Sequence, residues 1–273
     1  MNGAGNGSAR RTALVTGASA GIGREFAREY ARRGCDLVLT ARREGRLAAL
    51  ADELAQAHGT RVTILPADLS RPDAPALLAA AVEARGLTID ILVNNAGYGV
   101  PGAFASSAWE VHAAFQQVMI NAVAELCHRF VPAMKARGAG TIINVASLAG
   151  HVPGSAGHTL YGASKAWMIR FTESLAPELA PSGIRVLALC PGFTYSEFHD
   201  VSGMRASVSR LPRWLWMDAA TVARDGIAAA ERGEIVYITG RINRAIALAA
   251  RLLPRPLVEA LIGRHARDFR NTN

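Results

Sequence analysis

The stretch that most constrains the fold runs from Thr12 to Arg33. A short apolar run, Thr12 to Thr16, ends in Gly17-Ala18-Ser19-Ala20-Gly21-Ile22-Gly23. Arg24 to Arg33 then carries apolar residues at helical spacing, with Phe26 and Tyr30 one turn apart. Strand, glycine-rich turn and helix in that order give the glycines a meaning. They let the backbone turn sharply and approach a pyrophosphate, and the free N–H groups of the helix N-terminus face the same anion. Gly17, Ser19, Ala20, Gly21, Ile22 and Gly23 are therefore the candidate phosphate-binding residues. A turn of purely structural glycines is the alternative.

Six more apolar runs follow at Cys35–Thr40, Arg61–Pro66, Ile89–Val93, Thr141–Ala146, Ile184–Leu189 and Glu234–Thr239. Helical patterns at Glu44–His58, Pro72–Ala84, Trp109–Arg137, Tyr161–Ala180 and Asp218–Glu231 separate most of them. The alternation means an α/β fold, a parallel sheet with helices on both faces and ligand at the strands' C-terminal ends. The second run ends in Thr40-Ala41-Arg42-Arg43, where a fold that holds NAD would normally carry an acid for the ribose 2′-hydroxyl. Arginines there suit a 2′-phosphate by charge and by fork geometry. NADP(H) is thus expected over NAD(H), with Arg42 as the contact, unless both arginines only start the next helix. Asp68 and Leu69 follow the third run, where the acid either meets the adenine amino group or caps a helix. Asn94-Asn95-Ala96-Gly97 closes the fourth, and Pro191-Gly192 follows the sixth.

Tyr161 and Lys165 stand four residues apart, on one helical face. Of 30 basic residues only Lys135 and Lys165 are lysine. An ammonium about 5 Å from a phenol favours the phenolate by roughly 3 kcal/mol at an effective dielectric near ~20. That lowers the phenol by about two pKa units, from about 10 toward about 8. A tyrosine so placed can exchange a proton near neutral pH.

Composition narrows the classes. Half of the 273 residues are apolar, enough for a large core. No apolar run is long enough to span a bilayer. Residues 1–10 are polar and rich in Gly and Asn, and read as a disordered leader without a signal-peptide core. Cys35, Cys127 and Cys190 show no metal or redox spacing, which suits a reducing cytoplasm, and no metal site is expected. The net charge of +8 comes with no nucleic-acid motif, so an anionic cofactor or membrane face is the better partner.

Taken together and in order, these motifs resemble the short-chain dehydrogenase/reductase family over about Arg11 to Thr239. The resemblance implies one Rossmann-like, doubly wound domain with a seven-stranded parallel sheet. It implies a catalytic tetrad of Asn121, Ser147, Tyr161 and Lys165, with hydride passing between NADPH and a ketone and Tyr161 exchanging the proton. Lys165 would lower the tyrosine pKa and hold the nicotinamide ribose. Ser147 would bind the substrate oxygen, and Asn121 would position a relay water. Asp68 would contact adenine, Asn95, Ala96 and Gly97 would line the ribose, and Thr194 would meet the carboxamide. A homodimer or homotetramer is also implied. Ser147 and Tyr161 lie 14 residues apart, slightly more than the family's spacing, across a loop that carries His151 and His158.

The C-terminal third is individual. Residues 195–217, with Phe198, His199, Met204, Arg205, Trp214 and Trp216, fall where the family has a substrate lid. The apolar content suits a bulky hydrophobic carbonyl compound, 3-oxoacyl or steroid-like, unless Trp214 and Trp216 only anchor the next helix. Residues 241–273 form a basic apolar extension, with seven arginines against Glu259 and Asp268. Pro254 and Pro256 should split it into two short helices. It could cover the pocket, form a subunit interface or rest on a membrane surface. The reading is an NADP(H)-dependent carbonyl reductase. Its rivals are an NAD(H)-linked alcohol dehydrogenase and a non-catalytic dinucleotide sensor.

Overall fold

The computed structural model describes residues 10–100, 102–154, 156–157, 159–196 and 212–259. Seven strands form one parallel sheet: β1 (Thr12–Thr16), β2 (Asp36–Thr40), β3 (Val62–Ile64), β4 (Ile91–Asn94), β5 (Gly140–Val145), β6 (Ile184–Cys190) and β9 (Val236–Ile238). Their order is β3-β2-β1-β4-β5-β6-β9. The inner strands are buried on both sides, which is why they read as continuous apolar runs and not as alternating ones.

Three helices cover one face of the sheet: α1 (Gly21–Arg32), α2 (Glu44–His58) and α7 (Ala219–Glu231). Phe26, Leu47, Leu54, Val222 and Ile227 fill that layer. The other face carries α3 (Ala74–Glu83), α4 (Trp109–Gln116), α5 (Ala122–Arg137) and α6 (Thr159–Leu179), with Leu78, Phe115, Leu126, Met134 and Leu179 as their core. Complete burial of a side chain such as Phe26 contributes about 2–3 kcal/mol.

The strand order reverses between β1 and β4, so their C-terminal ends border a crevice. The glycine turn after β1 and the Asn94–Gly97 turn after β4 meet there.

Two features depart from the sequence reading. The stretch Trp109–Arg137 is not one helix. A π-helical turn, Gln117–Asn121, separates α4 from α5, and the Ala122 N–H reaches back five residues to the Gln117 carbonyl. Beyond β6, a small parallel ribbon pairs β7 (Thr194–Tyr195) with β8 (Met217–Asp218). The Asp218 side chain then caps α7 by accepting from the Thr221 N–H at 2.7 Å. The chain ends, among the described residues, in α8 (Arg241–Leu252) and a helical segment at 255–259, interrupted at Pro254.

Candidate active site

The phosphate turn is shaped by close backbone approach. Gly17 has φ +66°, and a Cβ at Gly23 would stand 2.3 Å from Asn95 Nδ2 and 2.5 Å from the Gly17 carbonyl. No larger residue fits there. Helix α1 starts at Gly21 behind Ala20, which offers no side-chain cap, so its first N–H groups are left for another acceptor. A dinucleotide pyrophosphate fits this glycine-lined, uncapped helix end, which Ser196 borders at Gly21.

Thr16, unremarked in the sequence, locks the crevice. Its hydroxyl donates to the Val93 carbonyl and accepts from the Asn95 and Ala96 N–H groups at 2.9 and 3.0 Å. Asn95 Nδ2 in turn donates to the Thr16 carbonyl at 2.9 Å. Gly97 stands against Met119 of the π turn. Asp68 uses one carboxylate oxygen to accept from the Ser70 N–H and hydroxyl, while Leu69 is buried beneath. After β2 it is Arg43 that reaches the glycine turn, donating to Ser19 Oγ at 3.1 Å. Arg42 is exposed and lies within electrostatic reach of Tyr98.

Ser147, Tyr161 and Lys165 converge where β5 and β6 end. Ser147 caps a short 3-10 turn, Leu148–Gly150, by accepting from the Ala149 N–H at 3.1 Å. That turn sits on α6 so tightly that a Cβ at Gly150 would lie 2.8 Å from the Lys165 carbonyl carbon. The Lys165 ammonium donates to the Val145 carbonyl at 2.6 Å and lies 5.8 Å from the centre of the Tyr161 ring. Burial pulls Lys165 down to about 8, and the nearby Cys190 opposes this.

Tyr161 corrects the expectation from Coulomb's law alone. It is half-buried by surface area, yet burial pushes its phenol up to about 12, and a hydrogen bond with Ser147 opposes that. Loss of hydration on burial, which helical spacing does not reveal, is the largest cause.

Asn121 ends the π turn. It is exposed and donates to Gln117 Oε1 at 2.9 Å, on a turn that packs against α6. Below the site runs a polar chain that the sequence did not reveal. Asn94 donates to Asn144 Oδ1, and Asn144 donates to Thr172 Oγ1, each at 2.9 Å and all buried. It ties β4, β5 and α6 together under Tyr161 and Lys165. The only sequence signal was polar residues inside apolar runs.

After β6, Pro191 and Gly192 lead to Thr194, which is buried and donates to the Gly192 carbonyl. Gly192 is packed by α8: a Cβ there would meet the Asn243 side chain at 2.4 Å. His151 faces Cys190 Sγ at 3.4 Å, while His158 lies outside the described residues. Of the 195–217 segment, Tyr195 stacks on Trp216 with ring centres 4.7 Å apart, and Trp214 is exposed. Phe198, His199, Met204 and Arg205 lie outside the described residues. A cleft of about 460 Å³ opens beside this ribbon, lined by Gly21, Arg24, Tyr195 and Asp218. It adjoins the α1 N-terminus and not Tyr161.

Residues 11–204 match the family model described as short chain dehydrogenase. The chain belongs to the short-chain dehydrogenase/reductase family. Its members are oxidoreductases that act on alcohol or carbonyl groups with a nicotinamide dinucleotide. Nodulation protein G of Rhizobium sp. (strain N33) is 36% identical over 247 residues, 87% of this chain and 97% of that protein. A short-chain dehydrogenase from Sphingobium yanoikuyae, solved in complex with NADPH, is 35% identical with a TM-score of 0.79, over 88% of this chain and 93% of that one. The bulky-bulky ketone specific alcohol dehydrogenase from Comamonas testosteroni is 30% identical with a TM-score of 0.75, over 88% and 92%.

Proposed function

We propose that this family member is an NADP(H)-dependent reductase of a hydrophobic ketone, reversible to the secondary alcohol, with Tyr161 as its proton donor. One observation carries the reading: the Tyr161 phenol is hydrogen-bonded to Ser147, beside a buried Lys165, at the same C-terminal end of the sheet as the uncapped N-terminus of α1. The nicotinamide dinucleotide supplies the hydride when bound.

The chain's own groups do the rest. Gly17 to Gly23 and the α1 N-terminus hold the pyrophosphate. Arg43, beside Ser19, takes the 2′-phosphate, with Arg42 next to it. Asp68 and Leu69 bound the adenine, Asn95 to Gly97 the ribose, and Pro191, Gly192 and Thr194 the carboxamide. Ser147 donates to the substrate oxygen and stabilises charge there. Tyr161 donates the proton as that charge develops. A phenol raised to about 12 is protonated at neutral pH, the form that proton donation requires. Lys165 keeps a positive charge below about pH 8 and steadies the phenolate left behind. Asn121 is assigned the relay water, on the strength of its exposed position on the π turn.

The likeness to an enzyme specific for bulky ketones supports the hydrophobic substrate. The NADPH complex supports the cofactor. Residues 11–240 form the catalytic unit, and 195–217 the substrate lid, pinned at its base by the β7–β8 ribbon. The buried, unpaired cysteines suit a cytoplasmic location, and a homodimer or homotetramer follows the family.

The test is turnover of NADPH and of NADH against ketones of graded bulk. Turnover should favour NADPH and rise with apolar size. Tight NADPH binding without turnover of any carbonyl or alcohol would overturn the reading in favour of a sensor.

A further inference from the structure

Helix α8 turns its apolar side outward. Its buried positions are Asn243 and Ala247, which face the body of the protein. Ile242, Ile246, Leu248, Leu252 and Leu253 are exposed, Leu248 by 56% and Leu252 by 71%. At about 100° per residue these positions, with two alanines between them, cover roughly 160° of arc away from the core. Leu257 extends the patch past Pro254. Arg244 and Arg251 border the arc on one side, and Arg241, in the first turn, falls at its margin between the angular positions of Leu248 and Leu252. Arg244 lies over the Tyr237 ring at 5.9 Å, while Arg241 and Arg251 have no ion-pair partner among the described residues. No described helix is long and apolar enough to cross a membrane.

Charge decides what covers this face. Within 241–259 the one acid is Glu259, and Arg255 already holds it at 2.7 Å. A second copy docked by a two-fold axis would set arginine against arginine with no free carboxylate between them. The chain's own residues 260–273 add three arginines and a single aspartate, so they bring more of the same charge. An anionic layer with an apolar interior matches both halves of the surface. Leucines enter the acyl boundary, and guanidinium groups fork onto phosphates.

We propose that α8 docks this protein in-plane on an anionic phospholipid surface. Asn243, on the opposite side of the same helix, touches Gly192 of the candidate cofactor turn, so docking would place the lipid surface one helix diameter from the active site.

The experiment is co-sedimentation of the full-length protein with phosphatidylcholine vesicles, with and without phosphatidylserine. Binding is expected with the anionic vesicles and should fall as salt rises. Arg241→Ala with Arg251→Ala should weaken it about 25-fold, at about fivefold per arginine. Leu248→Ser with Leu252→Ser should abolish it. Unchanged thermal melts would show that both variants fold. Three results overturn the proposal: no pelleting with anionic vesicles, pelleting indifferent to salt and to the arginine pair, or self-association in sedimentation velocity that the Leu→Ser pair alone removes.

Discussion

Lys165→Met should make the cofactor-free protein more stable at neutral pH, and the gain should fade as pH rises. Lys165 is 5% exposed, and burial lowers its pKa from 10.5 to about 8. Between those values the unfolded chain binds a proton that the folded chain does not, so this group's contribution to stability rises with pH there. The difference amounts to about 3 kcal/mol of destabilisation at pH 7, taken as about 1.4 kcal/mol per pKa unit. Methionine removes the charge and keeps an unbranched side chain of similar length. It also strands the Val145 carbonyl, which now accepts from the ammonium at 2.6 Å, at a cost of about 1–3 kcal/mol. The net gain at pH 7 is therefore between about 0 and 2 kcal/mol. The pH trend is independent of that offset, because the stranded carbonyl does not titrate. Urea unfolding of both proteins at several pH values from 7 to 10 would read it. The wild type should close on, or overtake, the variant as pH passes about 8. A stability difference that stays flat over that range would refute the buried, charged lysine. Enzymes commonly give up stability at the residues that serve function, and Lys165 would be such a case.

Arg43→Ala should weaken NADPH about 10- to 100-fold and leave NADH nearly unchanged, because a charge-assisted bond to phosphate is worth about 1.5–3 kcal/mol. Arg42→Ala should do less, since Arg43 is the one held against Ser19, and fluorescence titration of both cofactors would rank them. Gly192→Ala should cost about 1–3 kcal/mol by pushing on Asn243, and should loosen cofactor binding. Adding Asn243→Ala should recover part of both losses in a double-mutant cycle; strict additivity would mean the contact is not what matters.

The sheet was legible because parallel strands buried on both faces leave unbroken apolar runs. Helices α2 and α7 were legible to the residue, the first from its periodicity and the second from Asp218 as a cap and a regular run to Glu231. The convergence of Ser147, Tyr161 and Lys165 was legible only through the order of motifs. What stayed hidden has physical reasons. A π turn adds one residue to a helix without changing its composition, so Gln117–Asn121 left no mark beyond an asparagine of poor helix propensity. Thr16 looks like any strand threonine until Asn95 and Ala96, some 80 residues on, donate to it. Asn144 and Thr172 meet across strand and helix, which no local pattern encodes. Strands of two residues, β7 and β8, are too short to alternate. The tyrosine's direction of shift was misjudged because spacing gives a charge separation and says nothing of lost hydration.

Tyr161→Phe tests the central claim most directly. It removes one oxygen and leaves the ring, the Lys165 contact with Val145 and the glycine turn in place. Steady-state reduction of a hydrophobic ketone, measured with NADPH binding on the same sample, gives the answer. The kcat should fall at least about a hundredfold while the cofactor Kd stays within about twofold. A variant that turns over at a near-normal rate would show that the proton comes from elsewhere.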